Sequence, residues 1–275
     1  MVMVIVLITT MIACNKDAQS AQQASQNEIS LDSCLLADTT SFVKNNGERC
    51  VIYADAKIVF PKAMHDKAKT EQLQRLFAAF VLNAPDSLNL KDAMRATVSN
   101  SLHQYDFVDQ SSDEAEEDES SDEQVVYKYN TTTTVSVCYN KNNVVTFCKR
   151  EVVKKNDQMT SDTHRYYSFD LGAVSYIDLH KLFRDDALAD VTQLLRQQLL
   201  TQNNVTTDDQ LNDMGYFNVD NLMVTRNFCF DDEGVTWTYL PGQLAIDAVG
   251  EPTIHINYDL LAPLMCDGSV LKQIF

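Results

Sequence analysis

Between Asn227 and Tyr258 the chain alternates apolar and polar residues in a way that suits β-strands and little else. Phe228 and Phe230 precede the turn cluster Asp231-Asp232-Glu233-Gly234, and Val235, Trp237 and Tyr239 follow it. Successive strand side chains point to opposite faces, so this spacing puts the apolar residues on one face of a β-hairpin, the only Trp of the chain among them. A second alternating run, Thr253 to Tyr258, supplies a further strand. Upstream, Phe169-Asp170-Leu171 and Leu179 to Phe183 lead into a helix over 185–200, where Leu188, Val191, Leu194, Leu195 and Leu199 share one side.

The earlier half reads in the same terms. Cys50 to Phe60 predicts a strand, and Lys67 to Leu82 a helix with Leu73, Leu76, Phe77, Phe80 and Val81 at helical spacing. Asn83-Ala84-Pro85-Asp86 breaks it, and a second helix covers Leu90 to Tyr105. Residues 109–124 are acidic, with nine carboxylates and no apolar residue except Ala115 between Asp109 and Glu123, and read as a solvated loop that has nothing to bury. Val125 to Tyr139 and Val144 to Lys155 form a long hairpin about Asn140-Lys141-Asn142-Asn143, with Val135, Val137 and Tyr139 on one face. Tyr166 to Leu171 extends the sheet, Ser161 to Arg165 reads as a loop, and Thr207 caps a short helix. The expected architecture is α+β: antiparallel sheets packed with helices, in two small lobes sharing an interface.

The amino terminus points to the envelope of a bacterium. Met1 to Ala13 carries no charge, is too short to span a bilayer, and suits the apolar core of a secretory signal peptide (1–13). It ends in Met11-Ile12-Ala13-Cys14, which resembles a lipobox, so Cys14 is the expected acylated first residue of a lipoprotein. A tether over 14–33, rich in Gln, Ala, Ser and Asn, would let the body stand off the membrane. The expected location is the outer membrane or the cell surface, with the periplasmic side as the other placement. Six cysteines then remain, Cys34, Cys50, Cys138, Cys148, Cys229 and Cys266, and an even number in an exported chain favours disulfides. Connectivity stays open; proximity in sequence suggests Cys34–Cys50, Cys138–Cys148 and Cys229–Cys266. The formal charge of −17 argues against nucleic acid as a partner, because phosphates need a basic footprint, and leaves attraction of a basic partner open.

Several of these segments stand in an order that resembles a known family. Tyr167-Ser168-Phe169-Asp170-Leu171, Leu179-His180-Lys181-Leu182-Phe183, the Phe228 to Tyr239 hairpin, and Ala248-Val249-Gly250 before Ile254-His255-Ile256-Asn257-Tyr258 are similar to the C-terminal domain shared by the anti-sigma factor RsiV and the peptidoglycan deacetylase PdaC. The resemblance divides the chain into a PdaC-type N-terminal domain (34–160) and an RsiV-like C-terminal domain (161–275). The family's Gly-Gly-Ala-His-Gly loop falls on Ser161-Asp162-Thr163-His164-Arg165, keeping only His164, and the Tyr of its later Pro-Tyr run is lost in Pro241 to Asp247. RsiV-type proteins sense lysozyme through this domain, so the resemblance implies envelope sensing or binding.

No reaction centre emerges from the residues. Phe230-Asp231-Asp232-Glu233-Gly234 looks like a polysaccharide-deacetylase motif, but Glu233 interrupts it and the paired metal-binding His motif does not follow. His65, His103, His164, His180 and His255 show no metal-ligand spacing, and no cofactor is expected. The pairs Asp185-Asp186 and Asp208-Asp209 sit at helix starts, where the helix dipole favours them. The expectation is a non-catalytic envelope lipoprotein that binds or senses a macromolecule, either a basic protein such as lysozyme or peptidoglycan. His164, Trp237 and Tyr239 are the candidate ligand groove. The alternative is an envelope hydrolase acting on glycans, with carboxylates the sequence does not place.

Overall fold

A computed structural model describes residues 29–44, 47–105 and 126–274. The signal peptide, Cys14, the tether up to residue 28 and the acidic loop 109–124 lie outside the described residues.

Two hydrophobic cores divide the body. The first lies under a six-stranded sheet whose strands follow one another in chain order: β1 (Ser30–Val43), β2 (Arg49–Ala63), β3 (Val126–Lys141), β4 (Val144–Lys155), β5 (Gln158–Asp170) and β6 (Ser175–Tyr176). Every second residue of β2 from Cys50 to Ile58 is buried, as a strand with one face on a core requires. That face is covered by α1 (Lys67–Phe80) and α2 (Leu90–His103). Phe77 of α1 meets Phe147 of β4 edge to face, with ring centres 4.8 Å apart. Asp66 starts α1 by accepting from the N–H groups of Ala68 and Lys69. The β3–β4 hairpin turns through Asn142 and Asn143, with φ of 52° and 60°, the left-handed pair that a two-residue turn matching strand twist needs.

The second core is built from α3 (Leu188–Gln202), α4 (Asp208–Asp213) and a three-stranded antiparallel sheet of β7 (Phe228–Phe230), β8 (Gly234–Thr238) and β9 (Thr253–Asn257). Short helices α5 (Tyr258–Leu261) and α6 (Leu271–Ile274) close it. Val191, Leu195 and Leu199 of α3 pack with Trp237, Ile254 and Ile256. Thr207 forms a capping box with Gln210 at the start of α4. The turn between β7 and β8 is held by Asp231, whose carboxylate accepts from Glu233 N and Gly234 N, both at 2.8 Å.

The expected α+β class and the two lobes with their helices are present. Four particulars differ. Ser30 to Val43 is a strand on the edge of the sheet, where the tether was expected to run on to residue 33 and no strand was read. β2 and β3 are parallel, because the chain crosses between them through α1 and α2, and parallel neighbours require such a crossover. β5 runs continuously from Gln158 to Asp170, so Ser161 to Arg165 is strand rather than loop, and the expected boundary at 160/161 falls inside one strand. A bulge at Cys138, between the pairs Val137↔Phe147 and Tyr139↔Thr146, takes Tyr139 off the face of Val135. Val135 stays in the first core while Tyr139 enters the second, where its ring lies 6.1 Å from that of Phe230.

Gly234 shows how tightly the small sheet closes: a Cβ there would lie 2.1 Å from the main-chain oxygen of Ile256 in β9. Gly234→Ala is expected to destabilise the protein by about 3 kcal/mol, the upper end for overpacking. Urea unfolding followed by Trp237 fluorescence measures it; an unchanged midpoint would mean that β8 and β9 are not paired in this register.

Candidate functional site

The outer edge of β5 is where the two lobes join. β6 pairs only with Phe169 and Asp170, so among the described residues no strand is hydrogen-bonded to the main chain at His164 and Tyr166 on that side. Two side chains from the second lobe take its place. Asn227 Oδ1 accepts from Tyr166 N at 2.8 Å, while Asn227 Nδ2 donates to His164 O at 2.9 Å and to Thr238 O at 3.1 Å. Glu251 Oε1 accepts from His164 N at 2.8 Å, and its Oε2 lies 2.7 Å from His164 Nδ1. One amide and one carboxylate thus supply the partners a seventh strand would have given, and unpaired strand edges are otherwise costly and sticky.

Beside this junction lies a cleft of about 180 Å³ lined by Arg165, Tyr166, Tyr167 and Tyr176 from the first lobe and by Thr225, Arg226, Asn227, Leu240 and Gln243 from the second. Arg165 and Arg226 are both exposed. Neither makes an ion pair or side-chain hydrogen bond among the described residues. Arg150, by contrast, is bound to Asp162 through two bonds of 2.8 and 2.6 Å, and Arg196 is paired with Asp208. Burial raises the hydroxyl pKa of Tyr167 and Tyr176 above the ordinary phenol value, so both stay neutral donors at neutral pH, while the Tyr166 hydroxyl lies beside Cys148 on β4. The cleft therefore offers two cations and neutral donors, and among the described residues no carboxylate lines it. This composition suits an anionic ligand, since guanidinium groups bind carboxylates through paired, charge-assisted hydrogen bonds.

The expected groove of His164, Trp237 and Tyr239 is not one surface. His164 sits at the junction, tied to Glu251. Trp237 is 0% exposed in the second core, stacked near Phe183, with its indole N–H unpartnered. Tyr239 is buried too; its hydroxyl donates to Met223 O at 2.8 Å, and it borders a different cleft, with Leu222, Val224 and Leu244. Sequence reading missed Arg165, Arg226, Asn227 and Glu251. Asn227 and Glu251 lie 63 and 87 residues from His164, and nothing local marks them.

No disulfide joins the six cysteines among the described residues, and none of the three pairings suggested by sequence proximity is formed. Cys34 stands opposite Ile58 and Cys50 opposite Phe42, eight positions apart along the same strand pair. At strand rise that is ~26 Å, far beyond the reach of a disulfide. Cys266 donates to His180 O at 3.8 Å, whereas Cys229 lies beside Cys138, so these two stand at different places. Among the described residues no group of three or more His, Cys, Asp and Glu is placed to hold a metal ion, and no helix is long and apolar enough to cross a membrane.

Comparison with known proteins gives a domain and a fold. Residues 180–259 match the family model described as a protein of unknown function, DUF3298, so the chain carries a DUF3298 domain over α3, the small sheet and the segments between them. The whole fold is similar to the crystal structure of a DUF3298-family member from Bacteroides fragilis, with a TM-score of 0.70 and 17% identity over 90% of this chain and 98% of that one. A DUF3298-family protein from Pseudomonas aeruginosa is similar at a TM-score of 0.55 and 13% identity, with the same shares of the two chains covered. No curated protein matches the sequence.

Asn227→Ala removes three side-chain hydrogen bonds and leaves a strand edge unpaired. It is expected to lower stability by about 2 kcal/mol, from the usual cost of stranded polar groups. Urea unfolding gives the magnitude, and hydrogen exchange should show faster exchange at Tyr166 N–H specifically; protection unchanged there would contradict the amide clamp.

Proposed function

We propose that this protein is a non-catalytic binding protein of the bacterial cell envelope, anchored through Cys14, whose ligand is a carboxylate-bearing macromolecule of the peptidoglycan type. The observation that carries the reading is the cleft at the lobe junction, where Arg165 and Arg226 have no acidic partner among the described residues of a chain of net charge −17. A chain so acidic repels polyanions at a distance, so unpaired arginines facing one cleft are most simply explained by a ligand that pairs them. The tyrosines add flat apolar faces and hydroxyl donors of the kind that sugar rings and short peptides pack against. A glycan hydrolase needs two carboxylates about the scissile bond, and the described residues lining this cleft include none. The RsiV-like and PdaC-type resemblance and the lipobox support the envelope setting. They also supply the competing ligand, a basic protein such as lysozyme, which the acidic surface rather than the cleft would attract.

Purified protein sedimented with cell-wall sacculi tests this. Wild type is expected to co-sediment, and Arg165→Ala and Arg226→Ala each to weaken binding about tenfold, the equivalent of ~1.4 kcal/mol per lost charged contact. Retention on immobilised lysozyme, lost with rising salt and indifferent to both substitutions, would replace the cleft by the acidic surface as the binding feature. Binding to neither would sink the proposal.

A further inference from the structure

The cysteines that sequence proximity would pair are apart, but the fold brings another set together where the two sheets meet. Cys138 is the extra residue of the bulge in β3, and Cys229 is the middle residue of β7. β3 and β7 are in contact. Beyond the thiols this contact is pinned in the same register: Tyr139 packs on Phe230, and Lys141 Nζ holds both carboxylate oxygens of Asp232 at 2.6 and 2.7 Å. Cys138 Sγ lies 3.4 Å from Thr146 O, and the Cys138 and Cys229 thiols are close enough for each to shift the titration of the other. Cys148 stands close by on β4, opposite Ser136 and Tyr166.

We propose that Cys138 and Cys229 form a disulfide that stitches the helix-backed sheet to the small sheet of the DUF3298 domain. The inference rests on sheet packing and is independent of the ligand proposed above. The reaction needs an external disulfide, of a thiol–disulfide oxidoreductase or of a small-molecule disulfide. The Cys229 thiolate attacks one sulfur of that disulfide, giving a mixed disulfide and releasing the first external thiolate, which takes a proton. Cys138 then loses its proton, attacks the Cys229 sulfur and expels the second external thiolate, which is protonated in turn. Two protein thiols are oxidised and one external disulfide is reduced to two thiols.

The surroundings suit that order of events. The neighbouring Cys138 thiol lowers the Cys229 pKa, because it can donate to the Cys229 thiolate, and the same interaction raises that of Cys138. Burial pushes the Cys148 thiol up to about 11, so at neutral pH it remains a protonated bystander. Cys138 is exposed, so an oxidant can reach the pair. The bond would close a long loop of chain, from 138 to 229, the kind of cross-link that most restricts the unfolded state.

The test treats the reduced full chain with oxidised glutathione, alkylates the remaining thiols, cleaves at lysine, arginine and aspartate, and reads the peptides by mass spectrometry without reduction. The expected product links Cys138 to Cys229 and carries Cys148 alkylated. It persists in Cys148→Ser and is lost in Cys138→Ser. The urea midpoint should rise on oxidation in wild type and Cys148→Ser, and stay put in Cys138→Ser. A Cys138–Cys148 link, or Cys138 and Cys229 each found separately glutathionylated or alkylated in the folded protein, would overturn the proposal.

Discussion

The open edge of β5 is the constraint from which the arrangement of the lobes follows. A strand that ends a sheet exposes donors and acceptors that must be paired, and here β6 reaches only its last two residues. Asn227 and Glu251 fill the gap with side-chain groups set at main-chain spacing. Asn227 is well suited because an amide offers both a donor and an acceptor, and its own backbone C=O is already held by Thr238 N. The same side chain therefore closes the edge of the first sheet and the mouth of the β7–β8 hairpin. Polar docking of this kind fixes register and orientation, which apolar contact alone does not.

Apolar contact does the complementary work a short distance away. The bulge at Cys138 moves Tyr139 from the core it would have joined into the core of the other lobe, where Val144 also lies. The β3–β4 hairpin thus belongs to both cores, with Phe147 in one and Tyr139 in the other. The lobes meet in two places, the hydrogen-bonded edge of β5 and the packed tip of β3. Between rigid docking points of that sort a cleft keeps its shape, which is what a pre-formed binding site needs.

Much of the secondary structure was legible because its periodicity is strong. Leu73 and Phe77, Leu195 and Leu199, Phe228 and Trp237 all fall on the faces that their spacing assigns, and Thr207 caps its helix as its residue type suggests. Ser30 to Val43 was opaque because an edge strand, wetted on much of its surface, has no need to alternate apolar residues. Ser161 to Arg165 was opaque for a related reason: it is all polar, and it is held by its ladder with β4 and by Asn227 and Glu251 on its outer edge rather than by burial of its own side chains.

The order of residues by itself determined the helices, the hairpins and the inward face of Trp237, since each is settled by patterns a few residues long. Only the tertiary structure decided which thiols are neighbours, which arginines lack partners and where His164 stands. Those are relations between positions tens of residues apart, and their energetics come from sheet register, one bulge and a few hydrogen bonds that leave no periodic trace. A one-residue bulge re-aims a strand, and with it Tyr139 and Cys138, without altering the composition that a linear reading can weigh.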